Sequence, residues 1–421
     1  MVLSMPSAPR SQSLPVCLSC GTPLEHTLVD LGLSPLANSY VPPEKASIPD
    51  VFYPLHARVC QNCLLVQVGR VVSSEDIFTD YLYFSSYSET WLAHCRHYAE
   101  MAIARFALNG SSTVVEIASN DGYLLQNFAK AGIPVLGIEP ARNVAKTAIE
   151  KGVPTEIAFF GKDTARRIAA SGRHADLLAA KNVLAHVPDI NDFVAGIPEL
   201  LKPEGVFTVE FPHLLNLIQY VQFDTIYHEH FTYLSLLTVA GIFARHGLRI
   251  FDVEEVETHG GSLRVFACHK KASHPTTENV ERVVSIESAA KLDSLEGYEG
   301  FGSKVEGVRT QLVSFIAQAR SSGGVVAGYG AAAKGNTLLN YCGLGQNELA
   351  FVCDRNPSKQ NTLLPGSRIP VFSPEQIMME KPNYILILPW NIKDEIVDQL
   401  SFARQWGAKF VTAIPRIQIS D

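Results

Sequence analysis

Between residues 113 and 210, short apolar runs alternate with helical stretches, and few folds accommodate that rhythm. The runs are TVVEIAS, PVLGIEP, ADLLAAKNVL and GVFTVEF, and the stretches between them include YLLQNFAKAG and RNVAKTAIEKG. Strands joined through helices lie parallel, with helices covering both faces of the sheet. Such sheets take ligands at the carboxyl ends of their strands. A second unit of this kind opens at GGVVAGYGAAAKGNTLLNYCG and continues through ELAFVCDRNPSKQ and NYILILPWN. The fold class is therefore α/β, with two Rossmann-like units. Between them, GIFARHGLRIFDVEEVETHGGSLRVFACH predicts a helix and two antiparallel strands, and residues 280–320 predict a charged helical connector.

A smaller unit comes first. Cys17-x-x-Cys20 and Cys60-x-x-Cys63 each read as a tight turn between strands. Two such turns can aim four sulfurs at one point, which is a closed tetrahedral site for structural zinc. A redox role for one pair is the alternative, and two pairs in one small module favour zinc. Cys95, Cys268, Cys342 and Cys353 are scattered and read as inert thiols. A chain of 421 residues suits two to four domains, and 47% apolar against 18% charged residues provides a large core. The formal charge of −7 argues against nucleic acid as a partner. No apolar run is long enough for a membrane-spanning helix. Residues 1–16 lack the apolar stretch of a secretory signal, so a short disordered tail and a cytoplasmic protein are expected.

Two glycine-bearing turns follow strands. The first is Glu116-Ile117-Ala118-Ser119-Asn120-Asp121-Gly122. Ala118 and Ser119 are small enough for the tight turn, and Gly122 allows close approach. Glu139 ends the next strand about twenty residues on, where an acid can hold a ribose diol. The turn lacks the lysine and the glycine density of a phosphate cradle. A ligand with a ribose and no phosphate fits, and S-adenosylmethionine is one; Glu116 can organise the loop beneath its amino-acid end. The alternative is an ordinary strand–turn–helix without a ligand. In the second turn, the Gly328-x-Gly330-x-x-Ala333 spacing matches the dinucleotide fingerprint, and Asp354 ends the following strand. Lys334, Asn336 and backbone N–H groups at the helix start suit a phosphate or pyrophosphate. NAD and a nucleotide-diphosphate substrate both stay open there.

Asn182 and His186, in KNVLAHVP, and His213, after VEFP, fall at the ligand edge of the first sheet. Either histidine could instead be structural. His259 precedes Gly-Gly-Ser-Leu-Arg and is expected to hydrogen-bond that loop. The densest chemistry is Tyr227-His228-Glu229-His230, flanked by Phe223, Ile226, Phe231 and Tyr233. In an apolar setting, burial moves such groups toward neutral pKa values, as general acid–base work requires. A surface charge cluster is the bland reading, and a metal site would want a third ligand that the spacing does not offer.

Taken in order, CxxC…CxxC, EIASNDGYLL, EFPH with FDTIYHEHFTYLSL, and GYGAAAKGNTLLNY resemble the sugar C-methyltransferases of the tylosin and tetronitrose type. The resemblance spans nearly the whole chain. It implies a zinc-binding domain over 12–75, a class I methyltransferase Rossmann-like core over 76–270, and a second Rossmann-like, sugar-nucleotide-binding domain over 271–421. It implies S-adenosylmethionine and structural zinc as cofactors and a nucleotide-linked 4-keto-6-deoxy sugar, dTDP-linked, as substrate. Tyr227, Glu229, His230 and His186 match the family's active-site positions, and Tyr81 matches its N-terminal tyrosine. His228 falls at a variable position and receives no role. The second turn would then bind the nucleotide diphosphate, with Gly330, Lys334, Asn336 and Asp354, together with His213 at the first sheet's edge, as substrate-binding residues. His230 is expected to take the proton from C3, with Glu229 orienting it, while Tyr227 and His186 donate to the sugar oxygens. Methylation at C5, an O-methyltransferase, a NAD-dependent sugar-nucleotide oxidoreductase and a non-catalytic zinc protein are the rivals. Three domains able to bury one another favour a monomer.

Overall fold

The computed structural model describes residues 14–70, 86 and 89–421; Tyr81 and the neighbouring Tyr83, Phe84 and Tyr87 lie outside the described residues. Three strands come first: β1 (His26–Ser34), β2 (Tyr53–Val59) and β3 (Val66–Val68). Five strands then alternate with helices: β4 (Val114–Ile117), β5 (Val135–Ile138), β6 (Thr155–Glu156), β7 (Ala175–Lys181) and β8 (Leu201–Pro212). A two-residue strand, β9 (Thr232–Tyr233), precedes the hairpin of β10 (Leu248–Val256) and β11 (Ser262–His269).

The core sheet runs β6-β5-β4-β7-β8-β11-β10. The first five strands of that order are parallel, and β11 is antiparallel to both its neighbours. This doubly wound sheet with a closing hairpin is the class I methyltransferase arrangement. The apolar run VVEI explains the centre: all four residues of β4 are buried, as a strand covered on both faces requires. Strand order reverses between β4 and β7, so a crevice opens past their carboxyl ends. The helices that cover the sheet start where the sequence marks them. Asp189 accepts from the Asp192 N–H ahead of helix Ile190–Leu200, and Ser235 does the same from Thr238 ahead of helix Leu236–Arg245.

The second Rossmann-like unit contains β12 (Val326–Tyr329), β13 (Val352–Cys353), β14 (Thr362–Leu363), β15 (Pro370–Phe372), β16 (Tyr384–Ile387), β17 (Lys409–Thr412) and β18 (Gln418–Ser420). Their order is β14-β15-β13-β12-β16-β17-β18, with antiparallel strands only at the edges. The connector is helical, as the sequence predicts, and ends in helix Phe301–Ser321. Val305, Val308, Leu312 and Ile316 form its buried stripe, and they join one apolar cluster with Leu28 and Leu55 of the first sheet and Val326 and Val352 of the last. The first and third units therefore share a core.

β9 does not belong to the methyltransferase sheet. It pairs with β3, completing a four-stranded sheet β1-β2-β3-β9. Beyond it, Glu287 anchors the chain from helix Glu278–Ala289. That fully buried carboxyl accepts from His213 Nε2 at 2.7 Å and from the N–H groups of Leu236 and Leu237 at 2.6 and 2.9 Å. Glu287→Ala would leave three donors without this partner, two of them, His213 and Leu236, buried. We expect it to lose about 2–4 kcal/mol of stability in urea unfolding, and a loss under about 0.5 kcal/mol would contradict this account.

Candidate active site

A cavity of about 770 Å³ occupies the crevice past β4 and β7. All three units wall it. Asn120, Glu139 and Asn182 come from the core sheet, Tyr227, Glu229 and His230 from the segment before β9, Asn38 from the loop after β1, and Lys334 and Lys359 from the last unit.

On the core side the backbone is bent sharply. Ala118, Asn120 and Asn182 have left-handed φ angles of 55, 48 and 52°. For a residue with a Cβ this costs roughly 1–2 kcal/mol, and such strain collects at functional sites. Each Glu139 oxygen accepts one backbone N–H, from Asn120 at 2.9 Å and Ala141 at 2.8 Å. Each keeps a second lone pair, enough for two ribose hydroxyls. Burial raises the Glu139 carboxyl, and those two N–H groups pull it back. The Asn182 side-chain oxygen is buried with no hydrogen-bond partner among the described residues, so a polar ligand group is wanted there. The donor set fits S-adenosylmethionine. Glu116, Asp121 and Gly122 support this wall from behind. Glu116 is fully buried, and burial drives its carboxyl well above the usual range against the opposing Tyr123 hydroxyl and Lys181. Asp121 pairs with Lys151 at 2.9 Å, and Gly122 packs on Val153 with φ 79°.

On the other side, three ring systems meet. His230 donates from Nδ1 to the Thr225 carbonyl at 2.9 Å, which leaves Nε2 to accept from the Tyr227 hydroxyl at 2.8 Å. Its ring lies 4.0 Å from the Tyr227 ring and 4.6 Å from the His186 ring, centroid to centroid. Burial, then His186, hold His230 well below the usual imidazole range. Burial holds His186 near 4, although it donates to the Glu229 backbone carbonyl. Both rings are therefore neutral. A neutral imidazole has one N–H, and that of His186 is directed at the Glu229 carbonyl.

Glu229 does not orient His230. Thr225 does that, and Glu229 turns instead to the first unit, where Asn38 Nδ2 donates to its two oxygens at 2.8 and 2.9 Å. Burial raises the Glu229 carboxyl to about 7, with Asn38 and Lys359 opposing. His228 points away, reaching the Pro54 carbonyl at 3.2 Å.

The second glycine turn is filled by protein. A Cβ at Gly330 would run into Pro389, Lys359 donates to the Ala331 carbonyl at 2.6 Å, and Asn336 Nδ2 donates to the Ala37 carbonyl at 2.6 Å. Of this turn, Ala332, Ala333 and Lys334 reach the cavity. Gly330, Asn336 and Asp354 do not line it, nor does His213, which is held by Glu287. The spacing matches a dinucleotide fingerprint, and at Gly330 it is Pro389 that packs against the turn.

The Sγ atoms of Cys17, Cys20, Cys60 and Cys63 lie within 4.8 Å of one another, with Cys17–Cys63 and Cys20–Cys60 at 3.5 Å. A tetrahedral zinc with bonds of about 2.3 Å sets its sulfurs about 3.8 Å apart, so the four thiols fit. Gln67 Nε2 and the Ser19 N–H donate to Cys17 Sγ, a supporting layer of the kind zinc thiolates use.

Family models match three consecutive stretches: "Putative zinc binding domain" over residues 17–78, methyltransferase domain over 91–253, and C-methyltransferase C-terminal domain over 257–415. C-methyltransferase NovU of Streptomyces niveus is 36% identical over 96% of this chain and 96% of its own. The chain belongs to the C-methyltransferase family. It is a methyltransferase that uses S-adenosylmethionine and carries structural zinc. An ubiquinone biosynthesis O-methyltransferase of Methylobacterium sp. (strain 4-46) is 34% identical over 27% of this chain and 46% of its own. The solved magnesium protoporphyrin IX methyltransferase of Synechocystis PCC 6803, with bound SAH, covers 42% of this chain and 83% of its own at 15% identity and TM-score 0.35.

Asn38, Tyr40, Lys359 and His259 line the cavity without having been singled out for it by sequence. His259 was expected only to brace its loop; instead its ring meets Trp91 edge-on at 5.6 Å, and its φ is 59°. For the metal centre, elemental analysis should give one zinc per chain. Cys60→Ser should lose most of that zinc and lower Tm by roughly 5 °C or more. An unchanged Tm after zinc loss would remove the structural role.

Proposed function

We propose that the enzyme methylates the carbon next to the C4 ketone, C3, of a nucleotide-linked 4-keto-6-deoxy sugar, with His230 as the base. The observation that carries this reading is the tautomer of His230. Its Nδ1 proton is committed to the Thr225 carbonyl, so Nε2 is its basic nitrogen; the Tyr227 hydroxyl bonds to it, and both residues line the same cavity as Asn120 and Glu139. An α-proton of a ketone is acidic enough for an imidazole once the enolate oxygen is held.

Bound S-adenosylmethionine supplies an electrophilic sulfonium methyl group, and Ala118, Asn120, Glu139 and Asn182 would hold it. His230 Nε2 takes the C3 proton, and the C–H electron pair becomes the enolate π bond, moving the carbonyl charge onto O4. The Tyr227 hydroxyl has to leave Nε2 before that transfer, and it turns to donate to O4. His186 lines the cavity beside the His230 ring, and Glu229 faces the sugar as an acceptor. Lys334 and Lys359 stand where the charged end of the substrate would lie. Orientation between the two halves of one cavity supplies much of the rate.

The test is incubation with 4-keto-6-deoxy sugar nucleotides in deuterium oxide. Wild-type enzyme should exchange the C3 hydrogen without the methyl donor and methylate C3 with it. His230→Gln should lose both by about 10²–10⁴-fold. Exchange at full rate in His230→Gln would sink the assignment of the base. Methylation at an oxygen, with no exchange at carbon, would sink the substrate reading.

A further inference from the structure

Glu229 is a carboxylate beside the rings of the acceptor side, and its hydrogen-bond donor comes from far along the chain. Asn38, 191 residues earlier, sits in the loop between β1 and β2 and donates from one amide nitrogen to both carboxylate oxygens. That loop is fixed at both ends. The Ala37 carbonyl accepts from Asn336 Nδ2, and the Tyr40 hydroxyl donates to the Ala331 carbonyl. Both anchors belong to the last unit, so the amide is not a free surface group that happens to lie near an acid.

We propose that Asn38 is a positioning residue for methyl transfer, holding the Glu229 carboxylate as an acceptor aimed into the cavity. The inference rests on the reading of this cavity as the acceptor-sugar site. Its logic is electrostatic. A carboxylate only 5% exposed is favoured in its charged form by hydrogen bonds donated to it and by nearby cations. From the C-terminal unit the cation is Lys359, which also lies 3.9 Å from Asp354 and stacks over the Tyr40 ring at 5.4 Å. From the loop after β7 comes His186, which is neutral and donates to the Glu229 backbone rather than its carboxyl. On its own segment, Tyr227 and His230 are bonded to each other, and His228 faces Pro54. Asn38 is thus the direct hydrogen-bond donor to this carboxyl among the described residues. Glu229 has its proton lost as pH rises through about 7, so the ionised, accepting form grows on the alkaline side.

The experiment compares wild type with Asn38→Asp and Asn38→Ser. Asn38→Asp keeps the size and sets a second carboxyl against the first, while Asn38→Ser keeps a short donor. The pH dependence of kcat is measured with a 4-keto-6-deoxy sugar nucleotide. The Glu229 carboxyl is followed separately by difference infrared titration against Glu229→Gln. Zinc content and S-adenosylmethionine affinity serve as checks on folding. Asn38→Asp should move the acidic limb of kcat and the infrared titration upward by about one pH unit or more, as like charges sharing a site do. Its kcat at pH 7 should fall about 10–100-fold, with zinc and methyl-donor binding within about threefold of wild type. Asn38→Ser should fall between the two. An acidic limb and an infrared titration both unmoved in Asn38→Asp would overturn the inference. If wild type methylates no such sugar, the substrate reading fails instead, and the infrared titration alone decides whether Asn38 governs Glu229.

Discussion

The segment from Tyr227 to Leu234 has a hydrogen-bonded neighbour on either side, and the acceptor half of the cavity depends on that threading. On one side β9 pairs with β3, Val66 opposite Tyr233, and the Val68 N–H reaches the Phe231 carbonyl. On the other, the Phe231 N–H donates to Ala185 and the Leu214 N–H to Leu234. A strand of two residues has little stability of its own. Its position is inherited from the zinc-bearing sheet and from the loops past β7 and β8. Tyr227 to His230 form a tight turn, closed by the His230 N–H on the Tyr227 carbonyl, in which Glu229 lines the cavity while His228 reaches the Pro54 carbonyl. The first unit is therefore a wall of the active site rather than an appendage.

Burial sets the electrostatics of that wall. His186 and His230 are both held below the ordinary imidazole range, so neither carries charge in the empty cavity. A base in this state is weak until negative charge develops beside it. At about 4 Å and an effective dielectric near 20, an enolate stabilises a new imidazolium by about 4 kcal/mol. On the proposed mechanism the basicity of His230 would thus rise as the proton moves, and would fall again once the carbon has been alkylated.

Chemistry written into spacing was legible from sequence. The two CxxC pairs predict four convergent sulfurs because a tight turn fixes where each pair points, and the thiols converge as expected. Alternating apolar runs predict the parallel strands, since a strand buried on both faces needs an apolar run. Pairing between distant segments was not legible. Nothing in LGLSPLANSYVPPE distinguishes Asn38 from any loop asparagine, and its value comes only from contact with residue 229. β9 has the same problem, being too short to carry a period and paired with a strand more than 160 residues away. The Gly328-x-Gly330-x-x-Ala333 spacing shows a different limit. It dictates the shape of a turn, because Gly330 needs a positive φ of 85°, but it says nothing of whether the hollow beside that turn is empty. Here Pro389 packs against Gly330.

What the filled turn leaves to the last unit is a pair of lysines. Burial lowers both Lys334 and Lys359, against the pull of Asp224 on the first and Asp354, then Glu229, on the second. Lys334 is held by Asn391 Oδ1 at 2.7 Å and lies 4.6 Å above the Trp390 ring, and Trp390 in turn donates to Asp224 at 2.7 Å. A buried ammonium with its charge disfavoured gains more from an incoming anion than an exposed one, because the anion replaces solvation already lost. Electrostatic attraction for the diphosphate of a nucleotide sugar would therefore come from two side chains at the cavity wall. The start of helix Ala333–Cys342 also reaches the cavity through Ala332 and Ala333, and its backbone N–H groups would add to that attraction.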